Sequence, residues 1–251
     1  IKNNFHLDKP IEIIHLGESL DNTIHPLIFF DIDKNSSLTL IENFKTNSGL
    51  ITPLQYINLG ESADLNLIRI FDDNINTYNL SLSLKVLEKN SNCRCFDLIK
   101  GGIFTRSETY ACLKGESASI DLNCIYLSYK TQHHDFTSAI FHDVPNCKSS
   151  QVVRGVLNDK STGVFQGKVF VNKNAQKTDA QQMSKALLLS DQSTSNSKPE
   201  LEIYADDVVC SHGSTVGDLD ENELFYLLSR GLSKEKAQKV LIEAFLYDTV
   251  E

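Results

Sequence analysis

Cys210 and His212, within residues 206–227, are the side chains best suited to chemistry in this sequence. Residues two apart on an extended strand point to the same side, so on a strand the thiol and the imidazole would project together. Both groups suit iron, zinc or an iron–sulfur cluster as ligands. Because a closed site needs about four ligands, the pair predicts half of a site, completed from elsewhere in the fold or by another subunit.

The same pair has two other interpretations. Spacing alone favours a structural role, in which the small thiol packs in the core and the histidine is hydrogen-bonded, because the Cys-x-His pattern often occurs by chance. A nucleophilic Cys–His pair is less favoured, since it needs the imidazole within hydrogen-bond reach of the sulfur. Cα atoms two residues apart on a strand lie ~6–7 Å from each other, which makes that contact awkward.

Other ligand-type side chains are scattered along the chain. Cys93 and Cys95 would also share one face of a strand, but no third ligand lies nearby. Adjacent strand residues face opposite sides, so His133 and His134 cannot line one site together, and they are interpreted as surface or turn-stacking residues. Two acidic pairs are typical of turns or solvated faces: Asp72 with Asp73, and Asp206 with Asp207. Asp135 and His142 lie close in sequence to the two histidines.

The composition limits the function classes. The 251 residues suffice for one large domain or two small ones, and 24 basic against 33 acidic residues give a net charge of −9. An acidic chain without a basic run is a poor nucleic-acid binder, and no apolar stretch approaches the ~20 residues of a membrane span. Six cysteines without a CxxC pair predict reduced thiols in a cytosol-like compartment. Nucleotide-binding and hydrolase motifs are missing, so any ATP must bind another subunit.

Most of the chain alternates apolar and polar residues over short runs, as in residues 37–44, 64–70, 80–87 and 119–127. This period of two predicts strands with one buried face and one wet face. The phrase Gly-Glu-Ser-Ala begins at Gly60 and again at Gly115, each time before an alternating strand. Repeated turn–strand units without helices between them favour a solenoid, with a β-sandwich as the alternative.

One internal segment, residues 179–189, is ambiguous. Its Ala, Gln, Met, Lys and Leu residues have helical propensity. Runs that look like strands nevertheless lie on both sides of it, so the residues themselves leave helix and strand open.

The chain changes character after a β domain over residues 1–217, because residues 218–251 predict two helices. Asp220 begins a sequence typical of a capping box, and Gly231 suits the left-handed position after a helix end. Ser233 is the predicted N-cap of the second helix. Its apolar residues form one stripe, which packs on the β domain or on a partner: Ala237, Val240, Leu241, Ala244 and Phe245.

Four segments resemble the SufB/SufD family of iron–sulfur cluster assembly proteins: residues 155–168, 174–180, 187–190 and 198–208. The stretches CSHGSTVG at 210–217 and LFYLLSRG at 224–231 are similar to the SufD branch of that family. The resemblance is dense over residues 101–251 and looser before them.

This resemblance implies a right-handed parallel β-helix with a C-terminal helical segment and an extended conformation for residues 179–189. It also implies an N-terminal helical region that this chain lacks. The protein would be a non-catalytic scaffold that pairs with SufB through the β-helix and carries the SufC ATPase on its C-terminal helices, with no nucleotide on this chain. A transient iron–sulfur cluster would form at the SufB–SufD interface, where Cys210 and, as the better candidate, His212 would be ligands and SufB would supply the rest. The expected partner-binding residues are Leu224, Phe225, Leu228, Val240, Leu241 and Phe245.

Two other functions stay open at the level of the sequence. One is a homodimeric structural β-helix that binds no cluster, and the other is a β-helix enzyme that acts on polysaccharide, which the sparse arginines disfavour. The expected location is the bacterial cytoplasm or, in a eukaryote, a plastid-type organelle.

Overall fold

Parallel strands dominate the computed structural model, which describes residues 1–17, 23–247 and 249. The first strands are β1 (Ile11–Gly17), β2 (Thr23–Ile24), β3 (Leu27–Ile32), β4 (Ser37–Thr46), β5 (Gly49–Ile51), β6 (Leu54–Leu59), β7 (Asp64–Phe71), β8 (Thr77–Leu87) and β9 (Asn92–Ile99). The later strands are β10 (Phe104–Leu113), β11 (Ser119–Ser128), β12 (His133–His142), β13 (Lys148–Leu157), β14 (Thr162–Val171), β15 (Asp179–Leu188), β16 (Thr194–Ile203) and β17 (Val209–Gly217).

The strands stack into a β-solenoid of about seven turns, which confirms the predicted fold class. One sheet has the order β1-β4-β7-β9-β11-β13-β15-β17 and here is called sheet A. The second, sheet B, contains the path β16-β14-β12-β10-β8-β5-β2, with β3 and β6 beside it. Side chains alternate between the interior and the outer face, and the interior holds the apolar core.

The repeated Gly-Glu-Ser-Ala phrase forms the corner between successive strands. Its serines, Ser62 and Ser117, adopt left-handed backbone angles with φ of 56° and 62°. A Cβ on Gly115 would lie 1.8 Å from the Lys89 nitrogen, so only glycine fits against the previous turn. The phrase therefore recurs because each corner makes the same steric demand.

Residues 179–189 are extended over β15, as the family resemblance implied and against their helical propensity. β15 pairs along its length with β13 on one side and β17 on the other. Its interior positions Ala180, Gln182 and Ser184 are buried. Pairing on both sides outweighs an intrinsic preference of a few tenths of a kcal/mol per residue, roughly.

In strand β8, the polar residues face the interior and the leucines before Leu87 face outward, which is the reverse of what the sequence predicts. Leucines alternate with serines over residues 80–87, so the leucines would be expected to fill the core. Ser81, Ser83 and Lys85 instead point inward and are buried, whereas Leu80 is exposed on the outer face. Polar groups inside the solenoid, described below, make this arrangement stable because each finds a hydrogen-bond partner.

Two helices follow the solenoid, as predicted: α1 (Glu221–Ser229) and α2 (Lys234–Tyr247). The Asp220 side chain accepts hydrogen bonds from the backbone N–H groups of Asn222 and Glu223 at the start of α1. Gly231 ends that helix region with φ of +90°. Helix α2 packs against β13, where the Arg154 guanidinium lies 4.9 Å from the ring centre of Phe245. Within the described residues, no helix is long and apolar enough to cross a membrane.

Candidate half-site at the open end of the solenoid

The last strands leave the C-terminal end of the solenoid open. Strand β17 is the terminal strand of sheet A, and β16 is the terminal strand of sheet B. Among the described residues, no further strand pairs with the outer edge of either one. Unpaired strand edges are ready to pair with another chain, so this end is a natural contact surface.

Cys210 and His212 lie on this open end and share one face of β17. Cys210 is in register with Ala180 of β15, and His212 is in register with Gln182. Since Ala180 and Gln182 are buried interior residues, the thiol and the imidazole continue the interior column to its end. The i, i+2 spacing thus does bring the two groups to one face.

The two groups differ in burial. Cys210 is half-buried and packs against a small apolar cluster that includes Leu201 and Val208. His212 is exposed and lines a shallow groove of about 340 Å³ beside Glu200 and Glu202 of β16. The imidazole is therefore accessible to a partner, while the thiol is reached only from the open end.

Burial raises the pKa of the Cys210 thiol, and the nearby Asp179 carboxylate adds to the rise. A backbone hydrogen bond at Ala180 acts in the opposite direction. The thiol is therefore protonated at neutral pH and becomes a thiolate ligand only when a cation displaces its proton. Among the hydrogen bonds of the described residues, none joins Cys210 to His212, so the geometry does not favour a nucleophilic pair.

Gln182, one turn beneath His212, is a polar residue that sequence reasoning missed. Its side chain is 2% exposed, yet neither its amide nitrogen nor its amide oxygen has a hydrogen-bond partner. The buried Gln151, in register with Gln182 on β13, also has an unpartnered amide nitrogen. Buried polar groups are normally paired, so these two amides each carry an unmet hydrogen-bonding capacity near the end of sheet A.

The described residues hold no group of three or more His, Cys, Asp or Glu side chains placed to bind a metal ion. Cys210 and His212 can supply two ligands, whereas iron or a cluster iron takes about four. Within the described residues, the pair is therefore too small a ligand set to close a site.

The other predicted groups lie elsewhere. Cys93 and Cys95 do share one face of β9, inside the solenoid, with their Sγ atoms 3.5 Å apart. His133 stacks on Phe104 of the preceding turn, with ring centres 4.9 Å apart, as a turn-stacking residue should. The interpretation of His134 as a surface or turn-stacking residue is wrong, because it is fully buried and bonded to the Ser128 hydroxyl and the Gly101 carbonyl.

Burial lowers the pKa of His134 to about 4. His142 of the same strand is also buried, with its Nε2 2.9 Å from the Ser149 hydroxyl, and burial lowers its pKa to about 4. Both are neutral interior residues at neutral pH. Sequence reasoning missed this because an inward-facing histidine looks the same as an outward-facing one in a period-two pattern.

The acidic pairs are structural, as expected. Asp73 is buried and accepts a hydrogen bond of 2.8 Å from the Thr46 backbone, while its neighbour Asp72 pairs with Lys100 at 3.1 Å. Asp207 lies in a turn and bonds through its backbone to Gln176 and Lys177. The contacts of Asp72 and Asp73 account for those two carboxylates without a metal cation.

The expected partner-binding residues of the two helices fall into two sets. Phe225 is 72% exposed, and Leu228 and Val240 are also exposed, so these three are free to meet a partner. Leu224, Leu241 and Phe245 are half-buried, and the last contacts Arg154 of β13. The apolar stripe of α2 therefore serves mainly to attach the helices to the solenoid.

The fold defines a parallel β-solenoid protein with two C-terminal helices. Residues 15–245 match the family described as "SUF system FeS cluster assembly, SufBD core domain". The chain belongs to this SufBD family of iron–sulfur cluster assembly proteins, which confirms the resemblance seen in the sequence.

Several curated proteins are similar to this chain. The iron–sulfur cluster assembly protein SufD of Escherichia coli is 31% identical over 97% of this chain and 59% of its own length. A chloroplastic protein of Arabidopsis thaliana is 29% identical over 90% of this chain and 49% of its own length. The SufB protein of Bacillus subtilis is 30% identical over 68% of this chain and 37% of its own length. The chain spans only about half of the length of such relatives.

Proposed function

We propose that this chain is the core of a SufD-like scaffold subunit of an iron–sulfur cluster assembly complex. It pairs with SufB through the open end of the solenoid and carries the SufC ATPase on its C-terminal helices. The nascent cluster is the cargo of the complex and forms transiently between the two solenoids. This chain has no catalytic residue of its own and binds no nucleotide, since ATP hydrolysis belongs to SufC.

The observation that carries this proposal is the half-site on an unpaired end. Cys210 and His212 face the same way from β17, and the described residues offer no third ligand. A partner that approaches the edges of β16 and β17 would cover the exposed Val209 and close the ligand set at once. His212 is the better ligand of the two because it is exposed and its imidazole needs no displaced thiol proton.

The proposed SufC contact rests on the helices. Phe225 and Leu228 of α1 and Val240 of α2 expose apolar surface that the solenoid does not cover. Aromatic and aliphatic side chains of this kind are typical anchors of protein interfaces. The packing of α2 on β13 would transmit motion of an ATPase bound there to the solenoid, because the helix and the strand move together.

The location expected for such a complex is the bacterial cytoplasm. The Arabidopsis thaliana relative is a chloroplastic protein, which supports a plastid-type organelle as the alternative.

The experiment is anaerobic co-purification of the chain with SufB and SufC, with iron content and the visible absorption spectrum as readouts. The His212→Ala variant should co-purify normally and hold less iron and less cluster absorption than the wild type. The matched control is His133→Ala, which removes a histidine from the outer face of β12 and should leave the cluster unchanged.

Equal cluster content in wild type and His212→Ala would refute the ligand role. Retention of a homodimer in place of a complex with SufB would favour the cluster-free structural protein, since a second copy of this chain would then cover the open end.

A further inference from the structure

A pair of thiols lies in the middle of the solenoid, far from the open end in the order of sheet A. Cys93 and Cys95 are two residues apart on β9, and three strands, β11, β13 and β15, separate β9 from β17. Both side chains face the interior, and their Sγ atoms are 3.5 Å apart, within hydrogen-bond reach of each other. Cys95 is 5% exposed and Cys93 is fully buried.

A buried lysine accompanies the thiols. Lys85 of β8 is 1% exposed, and its ammonium donates a hydrogen bond of 2.6 Å to the Ser83 hydroxyl. Burial lowers the pKa of Lys85, and the neighbouring Cys95 opposes that effect more than any other group. Lys85 and Cys95 are both buried, and a negative charge on Cys95 would favour the ammonium form of Lys85.

A chain of oriented hydrogen bonds supports the charge of Lys85. The Ser83 hydroxyl donates to the Gln55 amide oxygen at 2.7 Å, and the Gln55 amide nitrogen donates to Glu42 at 2.6 Å. Glu42 in turn lies 3.3 Å from the His15 imidazole, near the first turn of the solenoid. All the dipoles run the same way, from a cation to a carboxylate, and such chains strengthen each member.

The buried carboxylate of Asp97 is paired with another cation. Asp97 already forms two hydrogen bonds with the Arg69 guanidinium, of 2.8 and 2.6 Å. Those two residues satisfy each other and also engage Ser107. Glu42 is linked to Lys85 through Gln55 and Ser83, and the thiols are a second set of groups whose negative charge would favour the ammonium form of the lysine.

The two cysteines have different acidities, as a reactive dithiol requires. The hydrogen bond with Cys93 is the largest influence on Cys95 and lowers its pKa, burial opposes this effect, and Lys85 and Arg69 add to the lowering. The same contact raises the pKa of Cys93 well above its usual range. Cys124, fully buried on the next turn, lacks a lysine partner, and burial raises its pKa well above the usual range.

We propose that Cys93 and Cys95 form a redox-active dithiol, with Cys95 as the nucleophile, Cys93 as the resolving thiol and Lys85 as the positioning residue. The Cys95 thiolate attacks one oxygen of hydrogen peroxide, the O–O bond breaks, and Cys95 sulfenic acid and hydroxide form. The Cys93 thiol then attacks the sulfenic sulfur, a disulfide forms, and water leaves with the thiol proton. Both electrons taken up by the peroxide come from the two sulfurs.

The strand limits how stable such a disulfide is. Residues two apart on a strand have Cα atoms ~6.6 Å from each other, at the long end of the range that disulfides tolerate. A bond formed there strains the strand and is readily reduced by a dithiol. The site is thus suited to reversible oxidation and not to permanent cross-linking.

Peroxide treatment of the folded, reduced chain tests the proposal. After quenching with an alkylating agent under denaturing conditions, trypsin cuts after Arg94, between the two cysteines. A disulfide therefore appears in the mass spectrum as peptide 90–94 linked to peptide 95–100, and reduction releases the two. In Lys85→Met the link should form about tenfold more slowly, because the lysine no longer stabilises the thiolate.

Two controls keep the test decisive. Cys124→Ser should form the link at the wild-type rate, and Ser83→Ala should slow it because the lysine loses its hydrogen bond; circular dichroism checks the fold of each variant. Oxidation of Cys124 at the same rate as Cys95, or a link that forms equally fast in folded Lys85→Met and Ser83→Ala, would overturn the proposal. So would the absence of the link in wild-type chain whose exposed Met183 is oxidised.

Discussion

The polar cluster around Arg69 in the middle of the solenoid and Gln182 near its C-terminal end differ in whether their buried polar groups have hydrogen-bond partners. In the middle, Arg69, Asp97 and Gln55 each have well-placed hydrogen-bond partners despite their burial. At the end, Gln182 is equally buried and has none, and His212 beside it is exposed. A satisfied polar group stabilises the chain that contains it, whereas an unsatisfied one costs free energy.

The largest effect should come from the buried ion pair in the middle. Asp97→Ala leaves the Arg69 guanidinium buried without its carboxylate partner, which should lower the free energy of unfolding by about 3–5 kcal/mol. Urea unfolding would measure it. The matched control is Asp64→Ala, which breaks the exposed pair with Arg94 and should cost less than about 1 kcal/mol. Similar losses in the two variants would mean that the interior pair contributes no more than a surface one.

The second-largest effect should come from acid, which should lower the free energy of unfolding because two histidines are buried in the interior. His134 and His142 have pKa values of about 4 in the folded chain, against about 6.5 in an unfolded one. Between these values the unfolded chain binds protons that the folded chain does not, so stability falls as the pH drops from 6.5 towards 4.

From pH 7 to pH 5 the loss should be about 2 kcal/mol per histidine. Urea unfolding at the two pH values measures the total, and His142→Gln should remove about half of the pH dependence that these two residues cause. An unchanged pH dependence in that variant would show that His142 is not a buried neutral base.

A pair of glutamine variants compares the two regions directly. Gln55→Leu leaves Glu42 and Ser83 without their partner and should cost about 1–3 kcal/mol of stability. Gln182→Leu removes an amide that has no partner, so it should be neutral or should stabilise the isolated chain by up to about 1 kcal/mol. Thermal unfolding of both variants suffices. A large loss in Gln182→Leu would remove the contrast between the middle and the end.

Features that depend on the conformation of a few neighbouring residues could be predicted from the sequence. The repeated corner phrase at Gly60 and Gly115 predicted a solenoid because the same left-handed serine is needed at each corner. The cap at Asp220 was likewise predicted, since a helix start depends on its own few residues. The family resemblance corrected the helical propensity of residues 179–189, which pairing with both neighbours overrides.

What the sequence did not predict depends on contacts between distant residues. The alternation in β8 does not say that Lys85 faces inward, because Gln55 and Cys95, from other strands, decide whether a lysine can be buried there. The neutral state of His134 depends on its burial in the folded chain, which outweighs the opposing effect of its hydrogen bond to the Gly101 carbonyl. The pair at Cys210 and His212 was found from its spacing, but its exposure at an open end is a property of the whole fold.

The most direct test of the central account asks whether His212 binds the nascent cluster. The chain, with nitrogen-15 only in its histidines, is assembled anaerobically with unlabelled SufB and SufC, and the reduced cluster is examined by pulsed electron paramagnetic resonance. The account predicts a nitrogen-15 coupling that is lost in His212→Ala and kept in His133→Ala. A cluster with no nitrogen-15 coupling, or with a coupling that survives in His212→Ala, would contradict it.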